Sequence, residues 1–130
     1  MIVPDTSALV EALAARPRKP DLMRRLAGER LHAPYVVDVE FVQALRRLAR
    51  HGEIGVDRAT DARRDFELLP LIRYPHRPLL HRMWDLRDRL TAYDAAFVAL
   101  AEMLDTPLVT CDAKLAAATG HGARIELYGA

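Results

Sequence analysis

The sequence predicts an α/β domain with a central parallel sheet of about five strands flanked by helices. Three observations lead there. Short apolar strands alternate with helical segments, Pro and Gly punctuate the junctions, and 130 residues make one domain, 1–130.

The elements follow in order. Residues 1–4 form a short apolar strand, and Asp5-Thr6-Ser7 then supply helix-capping chemistry. A helix over 8–15 is broken by Arg16-Pro17-Arg18-Lys19-Pro20, and a second helix covers 21–28. Residues 31–33 form a strand stopped by Pro34. Val37, Phe41, Leu45 and Leu48 recur at helical spacing, so 36–51 is a helix, closed by Gly52. A helix over 56–69 ends at Pro70, a strand covers 71–74, and 78–90 is helical. Thr91 opens an Ala-rich helix over 92–104, followed by a strand at 108–110, a short helix over 112–119 and a last strand at 124–128. Pro4 fits awkwardly, because it forfeits a ladder hydrogen bond in a strand expected near the centre.

Composition excludes several classes. Apolar residues make up 51% and charged residues 28%, the range of folded globular chains. Cys111 is the only cysteine, which excludes an internal disulfide or a cysteine-based zinc site and fits a reducing cytoplasm. The longest pure apolar run, 95–101, is far short of the ~18 residues of a membrane span. The first residues carry Asp5 and Glu11 and no basic segment, unlike a signal peptide. No P-loop, Gly-x-Gly-x-x-Gly or His-Glu-x-x-His occurs. The five His show no ligand spacing, and Trp84 and the Met residues read as core or interface.

In parallel α/β sheets, ligands bind outside the carboxyl ends of the strands. Four acids fall there. Asp5 follows the first strand, and Asp112 follows the 108–110 strand with one residue between. Glu40 opens the helix after the 31–33 strand, and Asp94 opens the helix leading back into 108–110. Each has a local explanation. Asp5 and Asp112 suit helix N-caps, Thr91 to Asp94 suits a capping-box variant, and acids in a first turn complement the helix dipole. Glu40 sits among apolar neighbours and, if half-buried, needs a partner. Asp38 should point elsewhere. Together the four imply mutual repulsion of about 3 kcal/mol per pair at ~5 Å and a dielectric near 20. A hard divalent cation removes that repulsion, and an all-oxygen set selects Mg²⁺, with Mn²⁺ a substitute, over zinc. Such sites hydrolyse phosphodiesters. A receiver would want paired acids after the first strand, and a phosphatase of the haloacid dehalogenase type would want Asp-x-Asp. Ser7 stands where the second Asp would be.

Four segments in order carry a family resemblance: Ile2-Val3-Pro4-Asp5-Thr6-Ser7-Ala8-Leu9; Ala33-Pro34 with Glu40 and Ala44-Leu45-Arg46-Arg47-Leu48; Tyr93-Asp94-Ala95-Ala96-Phe97-Val98-Ala99-Leu100-Ala101; and Leu108-Val109-Thr110-Cys111-Asp112-Ala113-Lys114-Leu115. The chain resembles a PIN-domain ribonuclease and, among these, the VapC toxins of bacterial type II toxin–antitoxin pairs. The resemblance implies a PIN-like fold with a five-stranded parallel sheet, Mg²⁺-dependent endoribonuclease activity, a homodimer and a cognate VapB-like antitoxin. By residue match it implies that Asp5, Glu40, Asp94 and Asp112 bind metal, with Ser7 and Thr110 as polar supports. Some family members carry one more acid shortly after the last of these. Residues 113–120 contain none, a departure that bears on a second metal ion.

The expected activity is hydrolysis of structured RNA, tRNA or rRNA, in the cytoplasm. The alternative is a catalytically idle PIN-like module that binds RNA or protein. Candidate RNA contacts are Arg16, Arg18 and Lys19 in one loop and Arg46, Arg47 and Arg50 at one helix end; the bland alternatives are a solvated loop and a cationic helix C-terminus. The charge balance of 19 basic against 18 acidic residues does not exclude RNA. Setting four inward acids aside leaves the remainder formally +5.

Overall fold

The computed structural model describes residues 1–129. In chain order the strands are β1 (Val3–Pro4), β2 (Leu31–Pro34), β3 (Leu71–Tyr74), β4 (Leu108–Thr110) and β5 (Ile125–Leu127). The helices are α1 (Thr6–Ala14), α2 (Pro20–Leu26), α3 (Val37–Arg50), α4 (Val56–Leu68), α5 (Leu80–Asp85), α6 (Ala92–Leu104) and α7 (Ala113–Ala116), with a 3₁₀ turn at Arg77–Leu79.

All strand pairs are parallel. β4 lies between β1 and β5, and β2 pairs with β3. One parallel bridge between Ile2 and Leu31 joins the two parts, so the order across the molecule is β3-β2-β1-β4-β5. The awkward proline explains why that junction is so short. Ile2 N–H donates to the Arg30 carbonyl and His32 N–H to the Ile2 carbonyl. By parallel geometry the next rung would need N–H groups from Pro4 and Pro34, and neither has one. On its other side β1 stays paired, through Val3 N–H to the Pro107 carbonyl and Asp5 N–H to the Val109 carbonyl.

The core forms around this sheet. α6 is buried from Ala95 to Ala101 and packs on β1, β2 and β4; its alanines allow that close approach. α1, α3 and α4 pack on one another. Phe41 and Phe66 stack between α3 and α4 with ring centroids 4.1 Å apart. Gly52, at φ +71°, closes α3 in a left-handed conformation that a side chain would strain.

Two sequence expectations need correction. The helix over 78–90 is really the 3₁₀ turn, then the six residues of α5, then turns tightened by Arg87 N–H to Trp84 O and Arg89 N–H to Leu86 O. Buried Leu86 sits at the point where the α-helical ladder stops. Of the two readings for Trp84, core or interface, core is excluded: the residue is 67% exposed, with the Arg87 guanidinium 4.6 Å from its ring centroid. Met1 and Met103 are also exposed, whereas Met23 and Met83 pack partly against the core.

Candidate functional site

The strand order reverses at β1, whose sequence successor β2 lies on one side and β4 on the other. An open α/β sheet forms its ligand crevice at such a point, beyond the carboxyl ends of the strands. A cavity of about 730 Å³ opens there, and Asp5, Glu40, Asp94 and Asp112 all line it. Ser7 also lines it, and Thr110 lies buried behind.

Each acid is delivered by a local rule. Asp5 ends β1 and caps α1, its Oδ1 accepting from Ala8 N–H at 3.0 Å. Asp112 follows β4 and caps α7 through Oδ1, which accepts from Lys114 N–H and Leu115 N–H. Asp94 lies in the first turn of α6, where Thr91 Oγ1 accepts its backbone N–H at 3.2 Å. That cap uses the Asp94 backbone, and the Asp94 side chain lines the cavity, where burial raises its pKa and the Thr91 hydroxyl lowers it in part. Glu40 lies in the first turn of α3, and its Oε1 accepts from Thr6 Oγ1 at 2.7 Å. The caps expected at Asp5 and Asp112 are therefore real, and of the capping-box variant the Thr91 half forms; all coexist with a shared cavity.

A hydroxyl network fixes Asp5. Ser7 Oγ donates to Oδ1 at 2.7 Å and Thr110 Oγ1 to Oδ2 at 2.6 Å. Each hydroxyl also accepts a backbone N–H from the loop after β4: Cys111 to Ser7 at 2.9 Å and Asp112 to Thr110 at 3.0 Å. The loops after β1 and β4 are thereby tied together across the cavity floor. Thr6, read in sequence only as capping, orients Glu40; its place next to Asp5 was the available signal.

The electrostatics show an unmet demand for positive charge. Burial raises Asp5 above the ordinary carboxylate range, against three donors that lower it, and Asp112 raises it further. Burial also raises Glu40, with Asp94 and Asp5 adding to the effect. Asp94 is raised by burial and then by Asp112 and Asp5. Ion pairs elsewhere in the fold engage acids such as Glu29, Asp38, Glu102 and Glu126, but among the described residues none engages the four cavity acids.

The acids ring the cavity and do not meet at one point. Among the described residues, no three His, Cys, Asp or Glu side chains are gathered to hold one ion. The expected cluster around one ion is therefore not formed among the described residues, and Asp5, Glu40 and Asp112 each give an oxygen to a protein donor. The donor chemistry still fits a hard cation. The set is all carboxylate, and burial pushes the neighbouring Cys111 thiol up to about 11, so it offers no thiolate at neutral pH.

The basic candidates separate. Arg47 lines the acidic cavity, while Arg46 and Arg50 are exposed and line no described cavity. Arg16 caps carbonyls of Leu13 and Ala15 and lines a second, smaller cavity. Arg18 is exposed. Lys19 is committed to Glu11 at 2.8 Å and to the Gly129 carbonyl at 2.6 Å, so it is a structural clasp more than a free phosphate contact. Asp38 indeed points elsewhere, pairing with Arg73 on β3 at 2.8 Å.

Comparison with known proteins agrees with this fold. The PIN domain family matches residues 2–120. Ribonuclease VapC12 of Mycobacterium tuberculosis is 42% identical over 127 residues, 98% of each chain. The crystal structure of PAE2754 from Pyrobaculum aerophilum superposes with a TM-score of 0.69 at 28% identity, covering 95% of this chain and 87% of that one. A chain of a toxin–antitoxin complex from Klebsiella pneumoniae shares the fold at TM-score 0.66 and 16% identity, over 90% and 91% of the two chains. The chain belongs to the PIN-domain family and, within it, to the VapC ribonucleases.

Proposed function

We propose that this ribonuclease hydrolyses phosphodiester bonds of structured RNA, such as tRNA or rRNA, in a Mg²⁺-dependent reaction at Asp5, Glu40, Asp94 and Asp112. The observation that supports it most is four half-buried or buried carboxylates facing one cavity with no cationic partner among the described residues. Alone they would repel RNA. A divalent cation held by them supplies, when bound, activation of water and neutralisation of charge on the phosphate.

The chain's own residues prepare that chemistry. Ser7, Thr110 and the Ala8 N–H hold Asp5 in one orientation. Thr6 holds Glu40 through Oε1, which leaves Oε2 to accept a proton. Arg47 lines the same cavity and offers a planar guanidinium to an entering phosphate strand. Outside the cavity the chain is net basic, which favours RNA approach.

A VapB-like antitoxin would restrain the enzyme, a reading supported by the toxin–antitoxin complex among the structures that share the fold. We further propose a homodimer acting in the cytoplasm. No helix among the described residues is long and apolar enough to cross a membrane. The test is incubation of purified protein with total RNA. Discrete cleavage with Mg²⁺ that EDTA abolishes is expected. RNA binding without cleavage at any divalent-metal concentration would leave only an idle binding module.

A further inference from the structure

A second cavity of about 260 Å³ adjoins the acidic one and shares Val10, Glu11 and Leu48 with it. Its wall is apolar at Ala14 and Ile54, and two arginines stand in it, Arg16 from the loop after α1 and Arg58 from the first turns of α4. Among the described residues neither arginine pairs with an acid. The cation needed to neutralise Glu11, which lines both cavities, is already present as Lys19.

We propose that this cavity is the subsite for an unpaired nucleotide flanking the scissile phosphate, with Arg58 and Arg16 on its phosphate and the apolar wall against its sugar or base. The inference rests on the proposed ribonuclease centre. A phosphodiester entering the acidic cavity is part of a chain, so a neighbouring nucleotide must leave by a contiguous surface. The second cavity is contiguous, too small for a duplex, and combines apolar wall with planar guanidinium groups. That combination suits an unstacked nucleotide. Glu53 also lines it and among the described residues carries no ion pair, so its carboxylate can accept from a base amino group. Arg58 lies outside the arginine clusters that the sequence suggested. It sits on α4, whose charge pattern reads as a solvated face until α3 and α4 are brought beside α1.

The test uses the full chain and a fluorescent, mixed-sequence single-stranded RNA, with Asp94→Asn as background so that the probe stays intact. Binding is measured over a salt series with and without Arg58→Ala, and with Arg64→Ala as the exposed control on the same helix. Arg58→Ala should weaken binding about tenfold and reduce the slope of log affinity against log salt by ~0.7, the signature of one lost phosphate contact. In the active enzyme the same loss should fall on KM, and the base preference beside the mapped cut should relax. A general folding defect would not shift the salt slope by one contact. Arg58→Ala with unchanged affinity and slope overturns the subsite. Unchanged RNA affinity with lost binding to an acidic peptide overturns its assignment to RNA. If RNA binding depends on Arg58 but wild type never cleaves RNA, the proposed activity fails, and with it the place beside a scissile phosphate, while the nucleotide contact of this cavity stands.

Discussion

Replacing Asp94 by Asn isolates the electrostatic strain of the acidic cavity. The side chain is half-buried in the first turn of α6, and burial, Asp112 and Asp5 together raise its pKa. Two opposing effects set the size of the change. Each of the two like-charged neighbours opposes the ionised form by on the order of 1 kcal/mol, hence roughly 2 kcal/mol for two. An anion in the first turn of a helix recovers about 0.5–1 kcal/mol through the dipole. Asp94→Asn should therefore be about 1 kcal/mol more stable than wild type at neutral pH in EDTA. The sign with pH follows from the raised value. The folded state holds the proton more tightly than the unfolded chain, so wild type loses stability as pH rises from 3.8 through the folded-state pKa. Below 3.8 the carboxyl is neutral in both states and the advantage of Asn should vanish. Urea denaturation in EDTA, at neutral pH and below 3.8, reads this directly. A variant less stable than wild type at neutral pH, or an equal gain in acid, would refute the reasoning.

Other perturbations test separate links. Thr110→Val keeps the shape but removes the donor to Asp5 Oδ2, and should destabilise by about 2 kcal/mol at neutral pH, read by denaturant midpoint. Phe66→Ala removes the ring stacked on Phe41 and should cost about 3–5 kcal/mol, with circular dichroism melting as the check. Because Asp5, Glu40 and Asp94 are all raised, Mn²⁺ affinity followed by electron paramagnetic resonance should fall with decreasing pH, beginning above the ordinary carboxylate range. A fall confined to that ordinary range would argue against ligation by this set.

Much of the site is legible because the rules that place it are local. Asp5 and Asp112 follow strands and cap the next helices, while Glu40 and Asp94 open helices in their first turns. Strand direction then sends all four to one edge. Pro4 signalled an interrupted ladder, but that Pro34 faces it across the gap depends on register between β1 and β2, which no local pattern encodes. Arg73 with Asp38 joins residues 35 positions apart, and the Arg25 pair with Glu126 spans 101 positions. Such partners are set by packing, so Lys19 looked free until the tail and α1 were placed beside it. The expected helix over 78–90 is divided because Leu79, Met83, Leu86 and Leu90 reach the core from consecutive tight turns as well as from one helix.

The most direct test of the four-acid centre is mapping of new RNA 5′ ends in cells expressing wild type or Asp94→Asn. Wild type should create ends at defined positions in a structured RNA, and Asp94→Asn should create none above background. The same ends from Asp94→Asn, at wild-type frequency and comparable protein level, would contradict the assignment of RNA hydrolysis to these acids.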